Sequence, residues 1–218
     1  LKIKAADTAI ARSLVQRKTK VTFSQMDTID KDMAIALISN PQLSYLSLPG
    51  SVAIGEDAIQ QFAKFKGTLI LDGMDDLKPK QIKTLLMGDA EPGTIDGLGI
   101  AGLDRLTPEI VDAIIEGVKG NKGTFTYLNL DGLTSNGTNI DDMQLYIRLL
   151  NGLSGSVAVS MKGLVDPSDK LLEVLHMNKG RLMLSDRVNG LVRSYRSKTA
   201  PVPPPPGPKP TAPGTSSS

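Results

Sequence analysis

A short pattern, two apolar residues separated by one other residue, recurs seven times along the chain. The first members of successive pairs lie 25, 23, 29, 30, 29 and 25 residues apart. Self-similarity at a period of about 20 to 50 residues is typical of repeat proteins, in which each unit buries its apolar side by stacking on its neighbours. The spacing therefore predicts a stack of strand-containing units. The pairs are Val21/Phe23, Leu46/Leu48, Leu69/Leu71, Leu98/Ile100, Leu128/Leu130, Val157/Val159 and Leu182/Leu184.

Each pair is followed by similar local signals. A second apolar anchor stands five residues after the first member in four units, and in three of them it follows a glycine that we expect to permit a sharp corner. A helix start comes next, with proline in the first turn and Thr107 as a cap in one case. The anchors are Met26, Met74, Leu103 and Leu133; the corner glycines are Gly73, Gly102 and Gly132; the prolines are Pro79, Pro108 and Pro167; glycines before a strand are Gly67, Gly93, Gly123, Gly155 and Gly180.

Three segments carry a resemblance to a known family. "LSYLSL" (43–48), "IDGLGI" (95–100) and "FTYLNL" (125–130) fit the L-x-x-L-x-L strand signature, and the chain resembles divergent bacterial leucine-rich-repeat proteins over about residues 18–192. It departs from the family where Asn or Cys is expected three residues after the last strand leucine, because the apolar anchors stand there. The resemblance implies a parallel sheet with helices on its outer side, and a binding or scaffolding role.

The predicted fold class is α/β, a leucine-rich-repeat-like solenoid of about six to seven βα units with a parallel sheet. We expect an N-terminal capping helix at 1–20, the solenoid at 21–199 and a Pro/Ser-rich tail at 200–218. The alternative is a doubly wound open sheet. Its strands would be continuous apolar runs, whereas the strands here are polar at alternate positions.

The two ends differ from the repeats. Residues 5–18 indicate a helix with Ile10, Leu14 and Val15 on one side, expected to cover the first repeat; a basic helix lying on a membrane surface is the alternative. The tail cannot form a core and favours polyproline II. It is interpreted as a spacer, or, through "VPPPP" (202–206), as a ligand for an aromatic groove.

Charge is unevenly distributed. Residues 1–20 and 176–198 each carry a net charge of +5, whereas residues 21–175 carry −9. Basic ends could bind an anionic polymer or surface, which is the alternative function. Nucleic acid is a less favoured partner, because the basic residues lack interleaved aromatic residues apart from Tyr195.

Cysteine is absent from the sequence, which excludes disulfides, thiolate metal sites and a cysteine nucleophile. No run of about 18 apolar residues occurs, so no transmembrane segment is expected. The start at Leu1 suggests a processed N-terminus. An extracellular or cell-surface location is predicted, with the cytoplasm as the alternative.

Candidate chemical motifs are better explained by structure. "GLGIAG" (97–102) fits the dinucleotide-binding pattern, but its glycines fall within the strand and corner of a repeat. The single histidine, His176, is expected at a solvated helix C-terminus, and the pairs Asp75/Asp76 and Asp141/Asp142 are expected beside helix N-termini. We therefore expect no enzyme activity, no cofactor and no metal site.

Function is predicted to reside on the sheet face that points away from the helices. The strand register places there Tyr45 and Ser47, Thr68 and Ile70, Gly97 and Gly99, Tyr127 and Asn129, Ser156 and Ala158, and Arg181 and Met183. The expected role is a non-catalytic scaffold that binds another protein or copies of itself. The competing site is the C-terminal end, at Arg193 and Arg196. The candidate contact residues are Tyr45, Ser47, Ile70, Tyr127, Asn129, Met183, Arg193 and Arg196.

Overall fold

Short strands alternate with helices along the chain. The structure is a computed structural model that describes residues 8–24, 26, 28–50, 53–88, 93–121, 125–134, 140–153 and 155–199, with the backbone alone for 140–142 and 196–199. The predicted tail (200–218) and Gly123 lie outside these residues. The strands are β1 (Lys20–Thr22), β2 (Thr28–Ile29), β3 (Tyr45–Ser47), β4 (Ala53–Ile54), β5 (Thr68–Ile70), β6 (Gly97–Gly99), β7 (Tyr127–Asn129), β8 (Ala158–Ser160) and β9 (Leu182–Met183). The helices are α1 (Thr8–Val15), α2 (Lys31–Leu37), α3 (Glu56–Phe62), α4 (Pro79–Met87), α5 (Pro108–Gly120), α6 (Ile140–Gly152), α7 (Asp169–Asn178) and α8 (Asp186–Thr199).

Seven strands form one parallel sheet. Its order is β1-β3-β5-β6-β7-β8-β9, so each strand lies beside the next of these strands along the chain. Strands β2 and β4 form a separate parallel pair. The predicted α/β class and parallel sheet are confirmed, with eight helices among the described residues. Each strand of the large sheet, together with the helix that follows it, is called a unit below.

The helices form a layer beside the large sheet, because each packs against the next from α1 to α8. Strand side chains alternate between the two faces of a sheet. Leu46, Leu69, Leu98 and Leu128 occupy one row on the inner face and are fully buried. Full burial of a leucine side chain contributes about 1.5–3 kcal/mol. The core therefore lies between the sheet and the helix layer.

Helix starts follow the local chemistry of the sequence. Helix α5 begins at Pro108, and Thr107 Oγ1 accepts a hydrogen bond from the N–H of Ile110 at 3.3 Å. This is the cap that the sequence predicts. In α7 the cap is Ser168, so Pro167 precedes the helix instead of lying in its first turn.

Helix α1 packs on α2 at one end of the layer. Ala11 and Val15, one turn apart, are fully buried, whereas Ile10 is 50% exposed. The expectation that Ile10 faces the core is wrong, because the buried stripe of this helix is centred on the two smaller residues. The Asn40 side-chain amide donates to the carbonyls of Val15 (2.8 Å) and Lys18 (2.9 Å), which ties the end of α1 to the next unit.

A tight turn follows the strand in four central units. The N–H groups of Met74, Leu103, Leu133 and Leu164 each donate to the carbonyl three residues earlier, at 3.1 to 3.4 Å. All four side chains are buried. Three of them are predicted anchors; Leu164 extends the same corner to a fourth unit.

The corner glycines are required by packing between units. None of Gly73, Gly102 and Gly132 has a positive φ. A Cβ on Gly132 would lie 1.6 Å from the carbonyl oxygen of Ala101, and one on Gly73 would lie 2.0 Å from that of Pro49. These carbonyls belong to the corner of the preceding unit. The expectation that glycine serves the turn itself is therefore wrong, since its role is to let successive corners approach closely.

The strand register differs from the predicted one in the unit of β8. Leu128 pairs with Val159 instead of Val157, and Met161 takes the position that Leu130 holds in the preceding unit. The segment "VAVSM" (157–161) has apolar residues at three alternate positions. Alternation alone therefore fits two registers, and pairing with β7 selects the later one.

Candidate functional site: the outer face of the sheet

The outer face of the large sheet is the face turned away from the helix layer. Because parallel strands pair in register, its side chains form two rows across the strands. The first row contains Lys20, Tyr45, Thr68, Gly97, Tyr127 and Ala158, and the second row contains Thr22, Ser47, Ile70, Gly99, Asn129, Ser160 and Met183.

The structure brings most of the predicted contact residues into these rows. The pairs from β3, β5, β6 and β7 lie where the sequence places them. In β8 the row positions belong to Ala158 and Ser160, so the predicted Ser156 and Ala158 are displaced by two residues. Met183 ends the second row beside Ser160 and is exposed.

Arg181 does not belong to the outer face. It lies in a 3₁₀ turn (Lys179–Arg181), and its guanidinium donates to the carbonyls of Leu150 and Leu153 and to Asn178 Oδ1. Burial lowers the pKa of the Arg181 guanidinium. This arginine therefore joins the last turn to the end of α6.

The alternative site at the C-terminal end, Arg193 and Arg196, lies only partly within the described residues. Arg193 is exposed on α8, whereas the side chain of Arg196 lies outside the described residues. Arg193 therefore lies apart from the outer-face rows.

Glycines in β6 leave room at the centre of the outer face for side chains from the unit of β5. A Cβ on Gly99 would lie 2.6 Å from Ile70 Cδ1 and 2.9 Å from Asp72 Oδ1, so a methyl group and a carboxylate occupy the space above this residue. A Cβ on Gly97 would lie 3.0 Å from Thr68 Oγ1. The missing side chains let groups from β5 extend over β6.

One polar link crosses β6 in this way. Asp72 follows β5, and its Oδ1 accepts a hydrogen bond from the N–H of Ala101 at 3.0 Å. Its Oδ2 accepts one from Asn129 Nδ2 on β7 at 3.3 Å. The Asn129 amide can span the width of β6 because Gly99 places no side chain between the partners.

Asp131, two units after Asp72, likewise accepts a hydrogen bond from a backbone N–H of the following unit. Asp131 Oδ1 accepts hydrogen bonds from the N–H of Lys162 at 2.8 Å and from Ser160 Oγ at 2.6 Å. The N–H of Asp131 donates to Asn129 Oδ1 at 3.0 Å. A continuous polar network therefore runs along the carboxyl ends of β5 to β8.

This network is acidic but internally bonded. Burial raises the pKa of Asp72, and the charge of Asp131 raises it further, while the Ala101 N–H opposes both. Burial also raises the pKa of the Tyr127 phenol, helped by Asp131 and Asp72. At neutral pH the phenol is uncharged, and it offers a ring edge and a hydroxyl group to a partner.

The two tyrosines are the largest groups on the outer face and are half-buried. Between them in the first row lie only Thr68 and Gly97. Ser47 and Asn129 in the second row are buried at 6% and 8% exposure because neighbouring side chains cover them. The face is therefore low and polar at its centre, with a tyrosine on either side.

The glycine motif, the histidine and the aspartate pairs noted in the sequence are found at the following places in the fold. Gly97 and Gly99 are strand residues of β6 and Gly102 is the following corner, as the repeat predicts. His176 is half-buried instead of solvated, and its Nδ1 has no hydrogen-bond partner within the described residues. Asp75 and Asp76 lie between β5 and α4, as expected; the side chains of residues 141–142 lie outside the described residues.

A small depression lies between α3 and α4. Its walls include Glu56, Ile59, Lys80 and Thr84, and its volume of about 10 Å³ is close to the space of one water molecule. Three metal-ligating side chains do not converge anywhere in the described ranges. Within those same ranges, no helix combines the length and apolar character that a membrane crossing demands.

Sequence reasoning missed Asp72, Asp131 and Ser160. A signal was present, because "LDG" occurs at both 71–73 and 130–132. An aspartate before a corner glycine is placed to accept the backbone N–H of the next unit. Ser160 was missed because the predicted register of β8 was two residues early.

No family model matches the chain, and no curated protein matches it.

Proposed function

We propose that this chain is a non-catalytic, leucine-rich-repeat-like solenoid that binds another protein through the outer face of its sheet. The sequential strand order supports the solenoid, since doubly wound sheets reverse their order at a switch point. The stacked corners support it as well, because each contacts the corner of the unit before it. The apolar anchors in place of asparagine make it a divergent member of that class.

The observation that carries the binding role is the form of the outer face. Two half-buried tyrosines, Tyr45 and Tyr127, lie on either side of a centre made low by Gly97 and Gly99. Tyrosine supplies a large contact area at low entropic cost, and it is enriched at protein interfaces. Because the side chains of Thr68, Ile70 and Asp72 cover these glycines, the two tyrosines are the largest groups that a partner meets on this face.

The polar network favours a role in binding a partner over a role in catalysis. The carboxylates of Asp72 and Asp131 are occupied by backbone and side-chain donors, so they are held in place as fixed acceptors. Preorganised polar groups give an interface specificity more than affinity. We therefore assign Asn129 and Ser160, which are buried, to holding the face rigid and the tyrosines to contact area.

Site-specific photo-crosslinking in native material tests the proposal. A photoreactive residue at position 45 or 127 should crosslink to one and the same protein, and the same residue at Met177, exposed on α7, should not. Replacing both tyrosines with serine should then weaken binding of that protein more than about tenfold, in line with the loss of two interface anchors.

The matched control replaces exposed apolar residues elsewhere, with Val165→Ser and Met177→Ser. Reversal of Arg193 and Arg196 to glutamate forms the third arm. Loss of binding in that arm alone would move the site to the C-terminal end. Retention of binding in the tyrosine variant would contradict the outer-face proposal.

We also propose that the protein acts outside the cell or on its surface. Protease treatment of intact cells should then remove it while a cytoplasmic marker survives. Survival of both would favour the cytoplasmic alternative.

A further inference from the structure

The two ends of the strands in the large sheet carry opposite charge. Because the strands are parallel, the helix-to-strand connections meet at the amino ends and the strand-to-helix connections at the carboxyl ends. We call these surfaces the amino rim and the carboxyl rim. In the described residues the amino rim has six basic residues and one acidic residue. The basic residues are Arg17, Lys18, Lys64, Lys66, Lys179 and Arg181, and the acidic residue is Asp96. The carboxyl rim of the described residues has seven acidic and three basic residues. The acidic residues are Asp30, Asp72, Asp75, Asp76, Asp104, Asp131 and Asp166, and the basic residues are Lys78, Arg105 and Lys162.

Helix dipoles explain the sign at each rim, since acidic groups suit helix N-termini and basic groups suit C-termini. They do not explain why some of the exposed charges on each rim lack an ion-pair partner among the described residues. In the described part of the chain, Lys18, Lys66 and Lys179 form no ion pair, and neither do Asp75 and Asp76. All five are exposed.

Resting on the scaffold function proposed above, we infer that copies of this chain stack rim to rim, the amino rim of one copy on the carboxyl rim of the next. The unit of β5 shows the match most directly. Lys64 and Lys66 precede this strand, and Asp75 and Asp76 follow it. A second copy shifted along the strand direction places these aspartates against those lysines without sideways displacement.

The dimensions suit a weak, charge-driven contact. Seven strands at about 4.8 Å span about 29 Å, and a sheet with one helix layer is about 20 Å thick. Each rim therefore offers about 600 Å², and a pair about 1,200 Å², the lower end of specific interfaces. The contact joins two different surfaces, so it extends into an open row of copies instead of closing as a dimer.

Two other arrangements fit the charges less well. Contact between the β9 end of one copy and the β1 end of another brings Arg187 and Arg193 towards Lys18 and Lys20, all basic. A single-stranded nucleic acid would use aromatic stacking platforms. The described aromatic residues of the amino rim, at positions 65 and 125, are phenylalanines buried to 3% and 6% exposure.

A charge-swap experiment tests the stacking. Light scattering of the purified full chain should detect multimers at about 10 mM salt, where the Debye length is about 30 Å, and single chains at about 1 M, where it is about 3 Å. Lys64→Glu with Lys66→Glu should give single chains at low salt, as should Asp75→Lys with Asp76→Lys. Mixing these two variants should restore multimers, because the two native rims match each other and the two charge-reversed rims also carry opposite charge. Restoration also shows that both variants are folded.

Other outcomes overturn the inference. The inference is overturned if the wild type forms single chains at low salt, or if its multimers persist at about 1 M salt. It is also overturned if the mixture stays dissociated. Single chains that bind heparin through Lys64 and Lys66 would instead assign the amino rim to a polyanion. The variant Tyr45→Ser with Tyr127→Ser should stack like the wild type, which separates failure of stacking from failure of outer-face binding.

Discussion

Replacing Gly132 with alanine tests whether corner glycines serve contact between units. The new Cβ would lie 1.6 Å from the carbonyl oxygen of Ala101, whereas ordinary contacts begin at 3.4 Å. The two corners must therefore separate by about 1.8 Å, and the obstacle is backbone, which cannot rotate away as a side chain can. Overpacking typically costs about 1–3 kcal/mol. Because two backbone segments must move, we expect a loss of about 3 kcal/mol or more.

Urea denaturation followed by circular dichroism measures the change in free energy of unfolding. The matched control is Gly155→Ala. That glycine has no atom within 4 Å of an added Cβ and does not have a positive φ. Alanine there should be neutral or stabilise by about 0.4–1 kcal/mol through the unfolded state. A Gly132→Ala variant within about 0.5 kcal/mol of wild type would refute the steric account.

The other predictions concern the core, the polar network and the tail. Leu130→Ala should cost about 2–5 kcal/mol because the side chain is fully buried; the exposed control Val165→Ala should stay within about 0.5 kcal/mol in the same urea titration. Because the pKa of Asp72 is raised in the folded state, its contribution to stability is full below the unfolded pKa of about 3.9 and is lost as pH rises through the folded value. Asp72→Asn should therefore remove a decline of unfolding free energy that begins near the unfolded pKa of about 3.9 as pH rises, and an unchanged slope would contradict the cause given for the shift. Truncation after Thr199 should leave the circular dichroism spectrum and thermal melt unchanged, whereas unfolding would show that the tail packs on the body.

The parallel sheet and most of its register could be predicted from the sequence because the strand leucines repeat at positions that must all face the core. Leu46, Leu69, Leu98 and Leu128 illustrate this, since each is buried in the same row. Periodicity works where one face is apolar and the other is not. Periodicity does not fix the register of β8, because Val157, Val159 and Met161 make two registers equally apolar. The corner at "MKGL" (161–164) selects the correct one.

The polar part of the outer face was less predictable. Tyr127 and Asn129 follow from strand alternation, but the contact between Asn129 and Asp72 joins residues 57 positions apart. It depends on Gly99 leaving space between them, which is a property of three neighbouring strands together. The role of the corner glycines was also hidden, because a sequence does not distinguish a glycine needed for its backbone angles from one needed for close approach.

The hydrogen bond from Asn129 to Asp72 also bears on how the chain opens. Contacts in a stack of repeats normally reach only the adjacent repeat, so such stacks can fray from either end, one repeat at a time. This bond connects β5 and β7 over the intervening β6. Fraying from either terminus should therefore meet a cooperative block of three strands. Native-state hydrogen exchange should show the amides of β5, β6 and β7 opening together, and Asn129→Ala should let them exchange separately.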